Sequence, residues 1–149
     1  MLLGTKKKKP MFIAVEGIDG SGKSTVIEIL SKKFKWVATK EPYHDHDSYQ
    51  EIKGLLQLEQ TKEVKKEIRS LIMENRLHHI IKKIVPNLKL GNTVITDRYY
   101  LSTAVYQSKN IRKAIEILQT YEQTKEILIP DFFIFIDVSP EVAMKRIEK

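Results

Sequence analysis

A glycine-rich loop near the start of the chain carries the clearest chemical signal. Residues 17–24, GIDGSGKS, satisfy the spacing G-x-x-x-x-G-K-[ST] position by position. Glycines at these positions let successive backbone amides approach a phosphate group without a Cβ in the way. A lysine at position 23 can reach the β- and γ-phosphates of a nucleotide, and a hydroxyl at position 24 can bind Mg²⁺. The loop therefore predicts a site for a nucleoside triphosphate.

A second polar group directly follows the β-branched stretch 93–96, TVIT. Asp97 and Arg98 stand at the end of this predicted strand, and ligands collect at the carboxyl edge of a parallel sheet. A carboxylate there can orient Mg²⁺ or accept a proton, and a guanidinium can hold phosphate through paired hydrogen bonds. A structural ion pair accounts for the same two residues equally well, so position alone leaves both interpretations open.

The elements around these residues predict an α/β fold. Residues 11–16 form a short continuous apolar run, typical of a strand buried on both faces. Further strands are predicted at 36–38, 93–96 and 132–137, and helices from Lys23, over 52–89, 99–108 and 111–127, and from Ser139. Strands that alternate with helices predict a parallel sheet of the P-loop type with helices on both faces.

The predicted domain is incomplete at its C-terminal end. The pattern gives no fifth strand, and the chain stops at Lys149 about three turns into a helix, without the glycine that commonly ends one. We therefore expect a basic N-terminal arm at 1–10 and one P-loop domain over 11–149 whose last strand is missing.

Composition restricts the class of protein further. The 149 residues suit one domain, and 26 basic against 19 acidic residues give a net charge of +7, which suits anionic ligands. The absence of cysteine excludes a disulfide framework and a zinc-thiolate site. No apolar run reaches the length of a membrane span, and no nucleic-acid module is recognisable. We expect a cytoplasmic protein that binds neither membranes nor nucleic acid.

Several polar residues outside these motifs are predicted to have no role in chemistry. Residues 44–47, HDHD, lie in a polar loop predicted at 43–50, which favours a surface loop over a metal site. His78 and His79 are predicted on a helix surface. Asp137 ends a strand that is predicted to be central, and a structural role is favoured there over catalysis.

The motifs taken together resemble those of the thymidylate kinase family. The phosphate loop, preceded by Glu16 and with an aspartate at its third position, is similar to the family's loop. Four further segments follow the family's patterns in the same order, namely TKEP at 39–42, NRL at 75–77, DRYYLSTAVYQ at 97–107 and PDFFIFIDVSPE at 130–141. The resemblance implies an enzyme that transfers the γ-phosphoryl group of ATP to dTMP, giving dTDP for dTTP synthesis.

The resemblance also implies the site residues. Those for ATP are Gly17, Ile18, Asp19, Gly20, Ser21, Gly22, Lys23, Ser24 and Thr25. Those for dTMP are Asp19, Ile72, Arg76, Arg98, Ser102, Tyr106 and Gln107. Ser24 and Asp97 would serve Mg²⁺, and Lys23, Asp19 and Arg98 would be catalytic.

Within the acceptor site, the resemblance gives each residue a role. Asp19 would contact the sugar hydroxyl and Arg98 the phosphate, while Arg76, Ser102 and Gln107 would address the thymine. Ile72 stands where the family often stacks a phenylalanine on the base. Tyr106 would pack against the deoxyribose, although ordinary core packing explains it equally well.

The resemblance implies a homodimer and a basic lid beyond Lys149. Because Gly20 and Ser21 leave the phosphate loop without an arginine, that lid would supply the arginine for the transition state. We expect the 149-residue chain to bind nucleotides weakly and to lose on the order of 10³-fold in rate. The alternatives are a kinase for another nucleotide or a deoxynucleoside, and a nucleotide-binding fragment without activity.

Overall fold

The computed structural model describes residues 9–148, so most of the predicted basic arm lies outside the described residues. The strands are β1 (Phe12–Glu16), β2 (Val37–Lys40), β3 (Val94–Asp97) and β4 (Phe132–Phe135). The helices are α1 (Lys23–Phe34), α2 (Ser48–Leu55), α3 (Lys62–His79), α4 (Val85–Lys89), α5 (Tyr100–Tyr106), α6 (Ile111–Gln123) and α7 (Pro140–Ile147), with a π-helical segment (Ile80–Ile84) between α3 and α4. None of the described helices is long and apolar enough to cross a membrane.

The described strands form one parallel sheet in the order β2-β3-β1-β4. β1 lies inside the sheet and all of its residues are buried, which explains its continuous apolar run. The register pairs Asp97 with Val15 of β1 and with Lys40 of β2. The carboxyl ends of three strands therefore meet at one edge of the sheet, and the predicted α/β class is confirmed.

Two separate apolar cores cover the two faces of the sheet. Phe12 and Ala14 of β1 pack with residues of the π-helical segment, α5 and α6, whereas Ile13 and Val15 pack with Ile27 of α1. Successive side chains of a strand point to opposite faces, so β1 contributes to both cores. Helices therefore lie on both faces, as predicted.

Residues 44–47 form the surface turn that the sequence predicts, with His44, Asp45 and Asp47 exposed, but the ends of the predicted loop 43–50 are buried or helical. Tyr43 and Ser48 are buried, and α2 already begins at Ser48. The side chain of Asn75 in α3 accepts from the Tyr43 amide and donates to the Tyr43 carbonyl and to the Ser48 hydroxyl. One buried amide thus satisfies the polar groups of this turn and fixes it to α3.

β4 is the outermost of the described strands on its side of the sheet. Within residues 9–148 it pairs only with β1, and Phe132 and Phe135 are 57% and 65% exposed. Asp137 follows this strand and is exposed among the described residues. The predicted helix after it is confirmed, because the Ser139 side chain accepts from the Val142 amide at the start of α7.

Candidate active site

The phosphate loop connects β1 to α1 across residues 17–22, as predicted. Gly20 has a φ of 75°, and a Cβ at this position would lie 2.4 Å from the Ala143 carbonyl oxygen of α7. Only glycine fits this position, because the backbone of α7 approaches the loop so closely. Lys23 is buried, and its ammonium donates to the Ile18 carbonyl at 2.8 Å. Burial, and secondly the nearby Arg98, lower the pKa of Lys23.

A polar cavity of about 440 Å³ opens over this loop. Its lining residues from outside the loop and α1 are Lys40, Glu41, Asp97, Arg98 and Arg146. Arg146 of α7 donates to the carbonyl oxygens of Ser21 at 2.9 Å and of Gly20 at 3.3 Å. Sequence reasoning missed this arginine, because only the packing of α7 against Gly20 brings it to the loop.

Ser24 and Asp97, the residues predicted for Mg²⁺, lie in direct contact. The Ser24 hydroxyl donates to Asp97 Oδ2 at 2.9 Å, while Asp97 Oδ1 is buried without a hydrogen-bond partner in the described part of the chain. A buried carboxylate oxygen without a partner is costly, and Mg²⁺ prefers oxygen ligands of this kind. The donor set therefore fits the ion. Residues 9–148 contain no cluster of three or more His, Cys, Asp or Glu side chains that suits a metal.

Arg98 lies where the phosphate cavity meets a second cavity. Its φ of 68° lies in the left-handed region, which non-glycine residues rarely adopt and which often marks functional sites. The guanidinium donates to Asp19 at 2.5 Å and to the Ser102 hydroxyl at 2.9 Å, and it lies 5.3 Å from the centre of the Tyr106 ring. Asp19 and Arg98, predicted to hold the acceptor, are thus paired with each other.

Glu16 fixes the position of Ser102 and through it that of Arg98. Its buried carboxylate accepts from the Tyr99 amide at 2.9 Å and from the Ser102 hydroxyl at 2.6 Å. Burial raises the pKa of Glu16, and these hydrogen bonds reduce that effect without reversing it. The Ser102 hydroxyl donates to Glu16 and accepts from Arg98, so it positions the Arg98 guanidinium.

The second cavity, of about 310 Å³, is lined by every residue predicted for the acceptor. These are Asp19, Ile72, Arg76, Arg98, Ser102, Tyr106 and Gln107. Asp19, Glu41 and Arg98 also line the phosphate cavity, so the two cavities share a wall. Tyr106 is 53% exposed, and the alternative prediction that it packs in the core is therefore wrong.

A buried ion pair forms one wall of this acceptor cavity. Arg76 is 1% exposed and donates to Glu41 Oε2 through Nη2 at 2.6 Å and through Nε at 2.9 Å. Nη2 also donates to the Thr103 hydroxyl at 2.8 Å. Nη1 of Arg76 and Oε1 of Gln107 are buried without partners among the described residues. The wall thus combines one unused donor with one unused acceptor.

His79 supports Glu41 from the other side, and its predicted place on a helix surface is wrong. The ring is fully buried, lies 2.8 Å from the Thr39 hydroxyl and 3.3 Å from Glu41 Oε1, and stacks on Tyr43. Sequence reasoning missed both Glu41 and His79 as parts of the site. The available signal was a carboxylate three residues after a predicted strand, within the TKEP segment.

The fold and the two cavities define the class of protein. A phosphate loop between β1 and α1 of a parallel sheet is typical of a nucleotide site, and a second cavity that shares Arg98 lies beside it. This is the arrangement of a P-loop kinase that acts on a small phosphorylated acceptor.

The chain belongs to the thymidylate kinase family, whose sequence model matches residues 15–149. It is 33% identical over 149 residues to the thymidylate kinase of Shouchella clausii, covering 95% of this chain and 70% of that protein. It is 34% identical to the thymidylate kinase of Rickettsia typhi, covering 91% of this chain and 68% of that protein. The crystal structure of thymidylate kinase from Ehrlichia chaffeensis superposes with a TM-score of 0.68 at 30% identity, covering 93% of this chain and 82% of that one.

These comparisons confirm the family that the motifs predict. They also confirm the predicted class of enzyme, an ATP-dependent kinase that converts dTMP to dTDP.

Proposed function

We propose that the phosphate cavity holds ATP and the acceptor cavity holds dTMP, so that the two nucleotides meet at Arg98. The observation that carries this proposal is the shared wall of Asp19, Glu41 and Arg98. Two anions that meet there repel each other, and a guanidinium between them lowers that repulsion. Transfer of a phosphoryl group requires alignment and charge neutralisation more than covalent help from the protein.

On the donor side, the residues of the loop from Gly17 to Thr25 surround the phosphate chain. Their backbone amides and the start of α1 provide hydrogen-bond donors, and Lys23 provides a full positive charge. Mg²⁺, which supplies further neutralisation of phosphate charge when bound, would be held by Ser24 and Asp97. Arg146 stabilises the loop through the Gly20 and Ser21 carbonyl groups.

On the acceptor side, Arg98 holds the phosphate of dTMP, and Ser102 and the Gly17 carbonyl hold Arg98. An oxygen of that phosphate attacks the γ-phosphorus of ATP while the bond from this phosphorus to the β,γ-bridging oxygen breaks. dTDP and ADP are the products, and an attacking phosphate dianion needs no base. Lys23 and Arg98 stabilise the charge that develops on the transferred group, and Asp19 contacts the acceptor sugar.

The base is recognised at the wall that contains Arg76 and Gln107. Thymine presents an acceptor at O4 and a donor at N3, which complement the unused Nη1 of Arg76 and Oε1 of Gln107. Cytosine presents an amino group in place of O4 and would leave Arg76 without an acceptor. Ile72 covers the face of the base, and Tyr106 lies beside the sugar and disfavours a ribose 2′-hydroxyl by crowding.

An acceptor assay tests this proposal together with the role of Lys23. With ATP and Mg²⁺, we expect diphosphate from dTMP, less from dUMP, and very little from dCMP, dGMP or thymidine. Loss of the thymine methyl group should cost about 10- to 200-fold in kcat/KM. Lys23→Ala should lower kcat by about 10²-fold or more, because it removes a charge that stabilises the transition state.

The matched control for this assay is Lys125→Ala. This lysine is exposed and lines neither cavity, so its removal should leave the rates unchanged. Preferred phosphorylation of thymidine, or steady ADP release without any acceptor, would contradict the proposed acceptor site. Full activity of Lys23→Ala would contradict the proposed donor site.

The proposal extends to the assembly and location of the protein. The family resemblance supports a cytoplasmic homodimer in which residues 11–149 act as one kinase domain.

A further inference from the structure

A cleft of about 650 Å³ lies beside the acceptor cavity and has no part in the proposed function. It is bounded by the N-terminal half of α3 and by the beginning of α6. Gln107, at the end of α5, lines both this cleft and the acceptor cavity. We name it the basic cleft, after its six basic residues Lys62, Lys65, Lys66, Arg69, Lys109 and Lys113.

The basic cleft has a strong excess of positive charge. Six basic side chains face one acidic side chain, Glu63, which gives the lining a formal net charge of +5. Among the described residues, Lys113 is the only one of the six that forms an ion pair, with Glu116 at 2.7 Å. The other five have no acidic partner within residues 9–148, so their charge is available to a ligand.

The arrangement of these charges opposes the stability of α3. Lys62 and Lys66 are four residues apart, as are Lys65 and Arg69, and like charges at this spacing repel each other on one helix face. Lys62 and Lys65 also lie at the start of the helix, where the helix dipole favours acidic side chains. An anion in the cleft reduces both penalties. The charges therefore indicate a ligand rather than a contribution to folding.

The N-terminal ends of α3 and α6 both reach the cleft, although Glu63 offsets the partial positive charge of α3. α3 contributes Lys62 and Glu63 from its first turn, and α6 contributes its N-cap residue Asn110 and Lys113. The first turn of α6 contains no acidic residue, so its partial positive charge is uncompensated there. Phosphate groups bind at helix ends of this kind when cationic side chains accompany them.

We propose that the basic cleft is a second anion site, which binds a polyphosphate chain. The ligand is either inorganic polyphosphate or the triphosphate of a nucleotide. A charge of +5 suits a ligand with about three or four negative charges better than it suits a monophosphate. None of the lining residues is aromatic, so no side chain stacks on a base and recognition depends on the phosphates. The volume lies within the range of small-molecule sites, about 300–1,000 Å³.

Equilibrium dialysis with inorganic tripolyphosphate counts the sites. At about 0.15 M salt, which screens loose surface attraction, we expect about two equivalents per chain, one at the phosphate loop and one in the basic cleft. The double variant Lys62→Glu/Lys66→Glu should no longer bind tripolyphosphate in the basic cleft. Lys23→Ala should no longer bind it at the phosphate loop. The control is the double variant Lys89→Glu/Lys125→Glu, which changes the net charge by the same amount at exposed residues outside the cleft. It should still bind tripolyphosphate at both sites.

The cleft variant should remain folded, because Lys62 and Lys66 are exposed and substitutions of exposed residues usually change stability little. A cooperative thermal transition and a wild-type circular dichroism spectrum check this. Wild-type binding that disappears completely in Lys23→Ala, or a cleft variant that binds like the wild type, would overturn the proposal. Neither result changes the expected outcome of the kinase assay. A wrong assignment of the basic cleft can therefore be told apart from a wrong proposed function.

A second arm of the experiment identifies the part of the ligand that is recognised. In Lys23→Ala, a nucleoside triphosphate and inorganic tripolyphosphate should bind to the remaining site with similar affinity. Binding of the nucleotide without binding of tripolyphosphate would overturn the assignment to the phosphate chain.

Discussion

Replacing Arg98 with alanine should lower kcat/KM for dTMP by about 10²- to 10³-fold, the usual effect of removing one preorganised donor that stabilises charge in a transition state. Arg98 lies on the wall between the two cavities, and Ser102 and the Gly17 carbonyl hold its guanidinium. Its loss leaves the acceptor phosphate without the guanidinium that neutralises it beside the γ-phosphate. Steady-state kinetics with dTMP varied should show this loss, while KM for ATP should change much less.

Two variants serve as controls for this measurement. Arg98→Lys keeps the charge but lacks the planar fork that binds two phosphate oxygens, so its activity should be intermediate. Arg112→Ala removes an arginine whose side chain is 91% exposed on α6, and it should behave as the wild type. If Arg98→Ala were as active as Arg112→Ala, the proposed acceptor site would be wrong.

Replacing Glu41 with alanine should lower the free energy of unfolding by about 3–5 kcal/mol, the usual cost of breaking a buried ion pair from one side. Arg76 is 1% exposed and Glu41 supplies its only carboxylate partner among the described residues, so the substitution leaves a buried guanidinium without a counter-charge. Urea unfolding of the two proteins measures the difference. Glu28→Ala removes half of an exposed pair with Lys32 and should unfold as the wild type does.

The same ion pair predicts a dependence of stability on pH. Burial acts to raise the pKa of Glu41, but Arg76 and His79 outweigh burial and hold that pKa below its ordinary value of 4.5. Since the folded pKa is depressed, the stabilisation is fully present above about pH 4.5 and is lost as the pH falls through the lower, folded value. The difference in stability between the wild type and Glu41→Gln should therefore narrow in this acid range. If the stability difference between the wild type and Glu41→Gln stayed constant down to pH values where all carboxylates are protonated, the stabilising role of the Glu41 charge would be contradicted.

The phosphate loop and the end of β3 could be predicted because their signals are local. Eight consecutive residues define the loop, and a buried strand before it and a helix after it supply the context. Asp97 and Arg98 stand directly after a β-branched strand, so the parallel sheet places them at the ligand edge without further information. The roles of Arg76 and Gln107 came from the family resemblance.

The hydrogen bonds and ion pairs that position the site residues could not be predicted, because they join residues that are far apart in the sequence. Arg76 and Glu41 are 35 residues apart, and Glu16 reaches Ser102 across 86. Nothing near His79 distinguishes a buried ring from an exposed one, because its partners belong to β2 and to the segment after it.

A crystal structure with a non-hydrolysable ATP analogue, Mg²⁺ and dTMP tests the central claim most directly. We predict that the analogue's phosphates lie over the amides of the loop, and that the dTMP phosphate accepts hydrogen bonds from Arg98. The thymine should lie between Ile72 and the wall formed by Arg76 and Gln107. A structure in which dTMP binds elsewhere, or in which Arg98 turns away from both nucleotides, would contradict the account.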